Sequence, residues 1–300
     1  MKTKIIYSVS CIACNNLRQK IIWNDKIRIG AKKFSKKPAK IIQCLSCSLV
    51  RLLNISKKIE DSAIARNIYN KSNSVNNFIK FHKPRENKKF NFINRYINFK
   101  NRNILESNSG SGIILNLVKK DALMTAGLDS IIYKSFLEKN GHKHFSSIKN
   151  IQDKKIKFDI ILSFSELEHK YDPIKFLLDI KSILKKNGKL IIRVPNFFNI
   201  YKFLIEKNFL KFDFRESHNF YFSEKNLNII FTRTGFDINQ TLGFNEYSLN
   251  HLLNFAYKKK RIYNQKIKFF FNEKNDKLIV KNIENNLVST SLIYILSKKD

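Results

Sequence analysis

Asn103 to Gly112 reads NILESNSGSG, and Ala126-Gly127-Leu128-Asp129 follows it about twenty residues later. Asn103 to Ser107 predicts a short strand, Ser109 to Gly112 a tight turn of small residues, and Ile113 to Lys120, apolar at helical spacing, the next helix. Glycine suits such a turn because a backbone without Cβ adopts positive φ and lets a ligand approach closely. Asp129, at the end of the next predicted strand, is placed to accept hydrogen bonds from ribose hydroxyls. Short Gly/Ser turns are common, so this stretch acquires meaning only from what surrounds it.

Outward from it, strands are predicted at Ala122 to Leu128, His144-Phe145, Phe158 to Phe164, Lys189 to Val194, Phe236 to Gly243 and Leu287 to Leu296. Most of the intervals carry helical periodicity. Strands alternating with helices indicate a parallel sheet covered on both faces, which binds ligands at the carboxyl ends of its strands. Toward the amino terminus, Ser56 to Asn101 is polar, with helical stretches around Asp61 to Tyr69 and Asn91 to Ile97, a break at His82-Lys83-Pro84, and His82 read as a solvated loop residue.

Cys11-Ile12-Ala13-Cys14 and Cys44-Leu45-Ser46-Cys47 are two CxxC pairs separated by twenty-nine residues, and no other cysteine occurs. Each knuckle presents two thiolates, and Cys11, Cys14, Cys44 and Cys47 together make a closed tetrahedral S4 site suited to structural zinc. The segment between them is too polar to fold unaided, as expected of a metal-dependent module. This cysteine usage predicts a reducing, cytoplasmic setting. No apolar run approaches the ~20 residues of a membrane-spanning helix. Ile5 to Cys11 only faintly imitates a signal peptide, and that reading is rejected.

The 300 residues carry 57 Lys+Arg against 24 Asp+Glu, a formal charge of +33. Such a balance raises nucleic acid as a partner. The lysines are nevertheless scattered, and abundant Lys, Ile, Asn and Phe with scarce Gly, Pro and Trp points to AT-biased codons. Nucleic acid is therefore kept as a possible partner that is not favoured.

Phe158 to Pro173 reads FDIILSFSELEHKYDP, an apolar strand running into a loop with carboxylates and a histidine, and Asn187 to Asn196 reads NGKLIIRVPN. With ILESNSGSG and the acidic Asp129, these resemble class I S-adenosylmethionine-dependent methyltransferases. Ser217 to Ser223, SHNFYFS, followed by Thr234-Gly235-Phe236, resembles that family's "EHLYYFS … GF" segment, and Glu246 to His251, EYSLNH, its "RYSLxNHL". Cysteine knuckles ahead of such a domain are similar to the methyltransferases of nucleotide sugars and surface-polysaccharide precursors. The resemblance implies an α/β, Rossmann-like seven-stranded methyltransferase sheet with helices on both faces, plus a small amino-terminal zinc-knuckle module. It divides the chain into a zinc-binding module at 1–55, a helical connector at 56–100 and a methyltransferase domain at 101–300, with a helical insertion near 245–285.

By that resemblance, S-adenosyl-L-methionine is the cofactor, Glu106, Asn108, Gly110 and Gly112 shape the pocket for its methionine part, Asp129 holds the ribose diol, and Ser163 to Ser165 line the floor near the sulfonium. Asn108 stands where the family usually has glycine, and Asn tolerates left-handed geometry better than most residues. Methyl transfer needs an acceptor held in line and a base with pKa near neutrality, for which histidine is best suited. His218 is the preferred base and His169 the second candidate, with a structural role as its alternative. Glu216, Tyr221 and His251 are weaker candidates, and His142 and His144 are read as structural. The expected acceptor is a small polar molecule, a nucleotide sugar or glycan precursor. The rivals are RNA methylation and a catalytically weakened scaffold that keeps the fold.

Overall fold

The computed structural model describes residues 5–6, 9–29, 33–55, 75–258 and 268–299. The helical stretch read at Asp61 to Tyr69 lies outside them.

The principal sheet has seven strands: β5 (Asn103–Ser107), β6 (Met124–Leu128), β7 (Lys143–Phe145), β8 (Phe158–Phe164), β9 (Leu184–Pro195), β11 (Phe236–Phe244) and β12 (Ser291–Lys298). Their order is β11-β12-β9-β8-β5-β6-β7. Pairing from β9 through β8, β5 and β6 to β7 is parallel, and β12 runs antiparallel to both its neighbours. The expected α/β sheet is therefore present.

Because strand side chains alternate, adjacent residues serve opposite faces. Leu105, Ile161, Ile192 and Tyr294 pack on one face with Leu177 and Ile180 of α5 (Pro173–Ile183) and Ile230 of α7 (Glu224–Arg233). Ile104, Leu162, Ile191 and Ile293 pack on the other with Phe92 and Ile93 of α1 (Val75–Ile93) and Ile114 and Val118 of α2 (Ile113–Val118). Between them run α3 (Lys134–Lys139), α4 (Ile148–Asp153), α6 (Ile200–Asp213), α8 (Leu249–Lys258) and α9 (Glu273–Asn285), the last two between β11 and β12. Helix α5 starts where KYDP suggests: Asp172 accepts the Lys175 N–H at 2.9 Å and Pro173 occupies the first turn.

A second, five-stranded antiparallel sheet joins β1 (Ile5–Ile6), β2 (Gln19–Asp25), β3 (Ala39–Cys44) and β4 (Val50–Leu52) to β10 (Phe220–Tyr221), a strand supplied from far along the chain. The two cysteine pairs sit on the turns of this sheet.

Three local expectations are corrected. The break at His82-Lys83-Pro84 is absent, since α1 runs through Pro84. One helical hydrogen bond is lost there, but Arg85 and Lys88 anchor the following turn on Glu246 at 2.8 and 3.1 Å. His82 is thus a half-buried helical residue and not a solvated loop residue. The last strand begins at Ser291 and not Leu287, because Leu287 takes φ 54° and the Val288 N–H returns to the Ile283 carbonyl at 3.2 Å, closing α9. Finally, β9 reaches back to Leu184, which pairs with Phe158 before the register shifts.

Candidate functional site

The loop after β5 is built from left-handed residues: φ is 58° at Asn108, 52° at Gly110 and 66° at Gly112. Asn108 therefore performs the turn that glycine usually performs. Its N–H donates to the Leu128 carbonyl at 2.9 Å, and the Gly112 N–H to the Ser109 carbonyl at 2.9 Å. A Cβ on Gly112 would lie 2.8 Å from Leu137 Cδ2, whereas one on Gly110 would meet nothing within 4 Å. Gly112 thus packs the loop against α3, and Gly110 presents bare backbone to open space.

Asp129 clamps this loop. Its carboxylate accepts the Gly110 N–H at 2.6 Å and the Ser130 N–H at 2.7 Å, and its backbone carbonyl accepts the His144 Nε2–H at 2.9 Å. Glu106 is buried at the end of β5, and burial, reinforced by nearby Glu86, raises its pKa well above the usual range. Glu106 Oε2, Ser109 Oγ and Ser111 Oγ are buried without a hydrogen-bond partner. Orphaned polar atoms around a bare glycine fit the polar methionine end of S-adenosylmethionine.

Two cavities meet at this loop. One, of about 490 Å³, is lined by Glu106, Asn108, Gly110, Ser165, Glu168, His169, Arg193, His218 and Glu246 among others. The second, of about 640 Å³, is lined by Asp129 and shares Asn108 and His169 with the first. The residues expected around the methionine part and those expected around the ribose therefore open on adjoining spaces. Gly112 and Ser163 are the exceptions: Gly112 packs against α3 and lines neither cavity, and Ser163 is fully buried, donates to Glu166 Oε2 at 2.9 Å, and does not line the floor.

Opposite the loop, the His169 and His218 rings meet edge to face at 4.8 Å. His169 Nδ1 is hydrogen-bonded to the Ser217 carbonyl. A carbonyl only accepts, so Nδ1 carries the proton and Nε2 of the neutral ring keeps its lone pair. Glu168 lies behind, with Oε1 4.0 Å from His169 Nε2. Burial pushes its pKa up to about 7, with Arg193 opposing.

Of the weaker candidates, His251 lines the cavity, stacked on Tyr247 at 4.5 Å. Glu216 is exposed, and the Tyr221 hydroxyl is engaged with the Arg215 backbone at 2.9 and 3.2 Å. His142 bonds Thr125 and Asn116 at 2.7 and 3.0 Å, and burial lowers its pKa to about 4.

Sequence reasoning missed the ion network on the cavity wall. Arg193 donates to Ser165 Oγ, Ser291 Oγ and the Glu246 carboxylate, which also accepts from Arg85 at 2.8 Å. An arginine within the apolar LIIRVP strand was the available signal, since a buried charge requires a partner.

The raised pKa of Glu168 carries a pH dependence. The folded state holds this proton more tightly than the unfolded chain, whose value is near 4.5. The resulting stability is full below about pH 4.5 and is lost as pH rises through about 7, by about 3 kcal/mol. Glu168→Gln is neutral throughout, so its stability relative to the parent should rise by that order between pH 5 and 8 in thermal or urea denaturation. An offset independent of pH would refute the assignment.

The four cysteines converge at the other sheet. Cys11 and Cys47 Sγ are 3.4 Å apart, Cys14 and Cys44 Sγ 3.5 Å, and all four lie within 4.8 Å of one another. Tetrahedral Zn–S bonds of about 2.3 Å space sulfurs by about 3.8 Å, so the cluster fits zinc with small adjustment. Cys11 and Cys47 share one proton: their hydrogen bond lowers the pKa of Cys11 to about 5 and raises that of Cys47, while burial raises that of Cys44.

A glycine-rich loop at the carboxyl end of the first parallel strand, an acidic residue ending the second and an antiparallel last strand together define the class I methyltransferase architecture. The methyltransferase domain family matches residues 81–241, more than half of the chain, and the protein belongs to that family, whose cofactor is S-adenosylmethionine. A tRNA U34 carboxymethyltransferase of Campylobacter fetus is 32% identical over 114 residues, covering 35% of this chain and 40% of the relative. The chain thus aligns with less than half the length of that curated relative. A solved complex between the Haloferax volcanii Trm112 methyltransferase activator and a methyltransferase contains a chain 13% identical to this one, with TM-score 0.50 over 81% of this chain and 97% of that one. A methyltransferase from Thermotoga maritima is 17% identical, with TM-score 0.48 over 75% and 96%. At 13% identity the Haloferax structure speaks to the fold alone. Among the described residues, no helix is long and apolar enough to cross a membrane.

Proposed function

We propose that the protein transfers the methyl group of S-adenosylmethionine to a small polar acceptor, a nucleotide sugar or glycan precursor. The observation that carries this reading is the 490 Å³ cavity with the cofactor loop on one wall and the His169–His218 pair on the other. Glu106, Asn108, Gly110, Gly112 and Asp129 would hold the cofactor, which when bound supplies an electrophilic methyl on a sulfonium. His218 takes the acceptor's proton, and His169, fixed through Nδ1, orients it. The four cysteines hold a structural zinc.

A cavity of this volume suits a small ligand. Basic side chains do not separate the two acceptors: Lys157, Lys185, Lys186, Lys298 and Lys299 gather away from the site, but Arg85, Lys89, Arg193 and Arg215 line the first cavity and Lys149, Lys170 and Lys175 the second. RNA is the second reading, favoured by the stretch shared with the tRNA-modifying relative. The left-handed φ of Asn108 keeps the turn that glycine would make, which weighs against a degenerate scaffold.

The test is calorimetric titration of zinc-loaded protein with S-adenosylhomocysteine, followed by transfer of labelled methyl to nucleotide sugars and to bulk RNA. Micromolar binding with label on a nucleotide sugar is expected. Label on RNA alone would install the second reading, and no cofactor binding would overturn both.

A further inference from the structure

Segment Ser217 to Tyr221 belongs to two structures at once. Phe220 and Tyr221 of β10 pair with Arg51 and Val50 of β4, which follows the Cys44–Cys47 knuckle directly. The Leu52 N–H donates to the Asn219 carbonyl at 3.0 Å. On its other side, the Asn219 N–H donates to the Glu168 carbonyl at 2.9 Å, and its side-chain Nδ2 donates to the His169 and Lys170 carbonyls at 3.1 and 3.2 Å. Asn219 is fully buried. The Ser217 carbonyl holds His169 Nδ1, and His218 lies between these two anchors.

Helix α7, immediately after β10, locks onto the knuckles. Asn226 donates to the Cys47 carbonyl at 3.4 Å, Lys225 to that of Ser46 at 2.7 Å, and Arg233 to those of Ile12 and Ala13 at 2.8 and 2.5 Å. Both cysteine turns are thereby tied to the strand and helix that follow His218 in the chain. The cofactor loop is held by other partners, namely Asp129 and Leu128.

We propose that Asn219 is a positioning residue joining the cysteine module to both candidate histidines, so that the state of the four cysteines governs the acceptor half of the site and spares the cofactor half. The inference rests on the methyl-transfer reading for its effect on turnover, but not for its structural content. A pair of backbone strands has no intermediate register: a one-residue slip of β10 on β4 sends each of its side chains to the opposite face. With the knuckles closed, the β4 register and the α7 contacts fix Asn219, which fixes the backbone of Glu168, His169 and Lys170. Once the sulfurs lose their metal, the knuckles no longer fix the carbonyls that α7 grips, and β4 is held to β10 by two paired residues, the Leu52–Asn219 hydrogen bond and the apolar packing of Val50, Leu52 and Tyr221.

The test compares zinc-loaded parent, chelator-treated parent and zinc-loaded Asn219→Ala by three readouts: imidazole NMR signals of His169 and His218, affinity for S-adenosylhomocysteine, and the pH profile of turnover. Both perturbed proteins should shift the two histidine signals and move the acidic limb of the profile. Turnover should fall at least about tenfold, the cost of about 1.4 kcal/mol in positioning, with cofactor affinity kept within about threefold. Unmoved histidine signals in either protein would overturn the proposal, as would cofactor affinity falling in step with them. If Asn219→Ala does not fold, chelated parent and a zinc-loaded Arg233→Ala variant, which releases the Ile12 and Ala13 carbonyls of the first knuckle from α7, decide the same question. If the parent itself fails to bind S-adenosylhomocysteine, the methyl-transfer reading falls and the histidine signals still decide this one.

Discussion

Replacing Asp129 with alanine should weaken S-adenosylhomocysteine binding at least about a hundredfold, measured by calorimetric titration against a parent of matched thermal stability. Two losses combine. The carboxylate accepts the Gly110 and Ser130 N–H groups at 2.6 and 2.7 Å, and hydrogen bonds to a charged group contribute about 1.5–3 kcal/mol each. Removing it frees Gly110, the one glycine among the described residues whose backbone faces open space. It also removes the carboxylate of the second cavity that is proposed to accept from the ribose hydroxyls. About 2.7 kcal/mol, a fraction of that sum, already gives a hundredfold change. Asp129→Asn keeps one accepting oxygen but turns an amide toward the other N–H, so an intermediate loss of about tenfold is expected. Unchanged affinity in the alanine variant would remove Asp129 from the cofactor site.

The loop proposed to hold the cofactor was legible as a structural element because its signals are local. A strand, a turn of small residues and a helix lie consecutively from Asn103 to Val118, and Asp129 follows at a spacing set by one helix and one strand. The cysteine knuckles were legible for the same reason, since CxxC places two sulfurs on one turn whatever the fold around it. The acceptor half was less so. His169 and His218 are forty-nine positions apart, and what brings their rings to 4.8 Å is the return of β10 to a sheet begun before residue 53, a long-range pairing that no local pattern announces. Ser163 was misread because it still lies within β8: Phe164 and Ser165, at and beyond the strand end, reach the cavity, while Ser163 is buried in the sheet and donates to Glu166. Pro84 misled because its cost to a helix is fixed, whereas the compensating anchors on Glu246 lie more than 150 positions away.

The Glu246 network is where that hidden half is most sensitive. Glu246→Gln should destabilise the protein by about 3–5 kcal/mol, the usual result of leaving one member of a buried ion pair without its counter-charge. Burial alone would raise the pKa of Glu246, yet Arg193 and Arg85 bring it down to about 2. A lowered folded-state pKa stabilises fully above the unfolded value near 4.5, and that contribution is lost as pH falls toward 2. The parent should therefore lose stability on this acid limb more steeply than Glu246→Gln, in urea denaturation followed from pH 6 to pH 3. Stability is only part of the effect, because the same carboxylate holds Arg85 of α1, the helix whose Lys89 and Glu86 stand beside Glu106. Releasing it loosens one wall of the cavity together with the cofactor loop. A double-mutant cycle separates the pair from its surroundings: if Arg193→Met/Glu246→Leu regains most of the stability lost by Glu246→Gln, the penalty belonged to the stranded guanidinium. If it regains none, the ion pair was holding α1 and β9 in a register that apolar side chains do not specify.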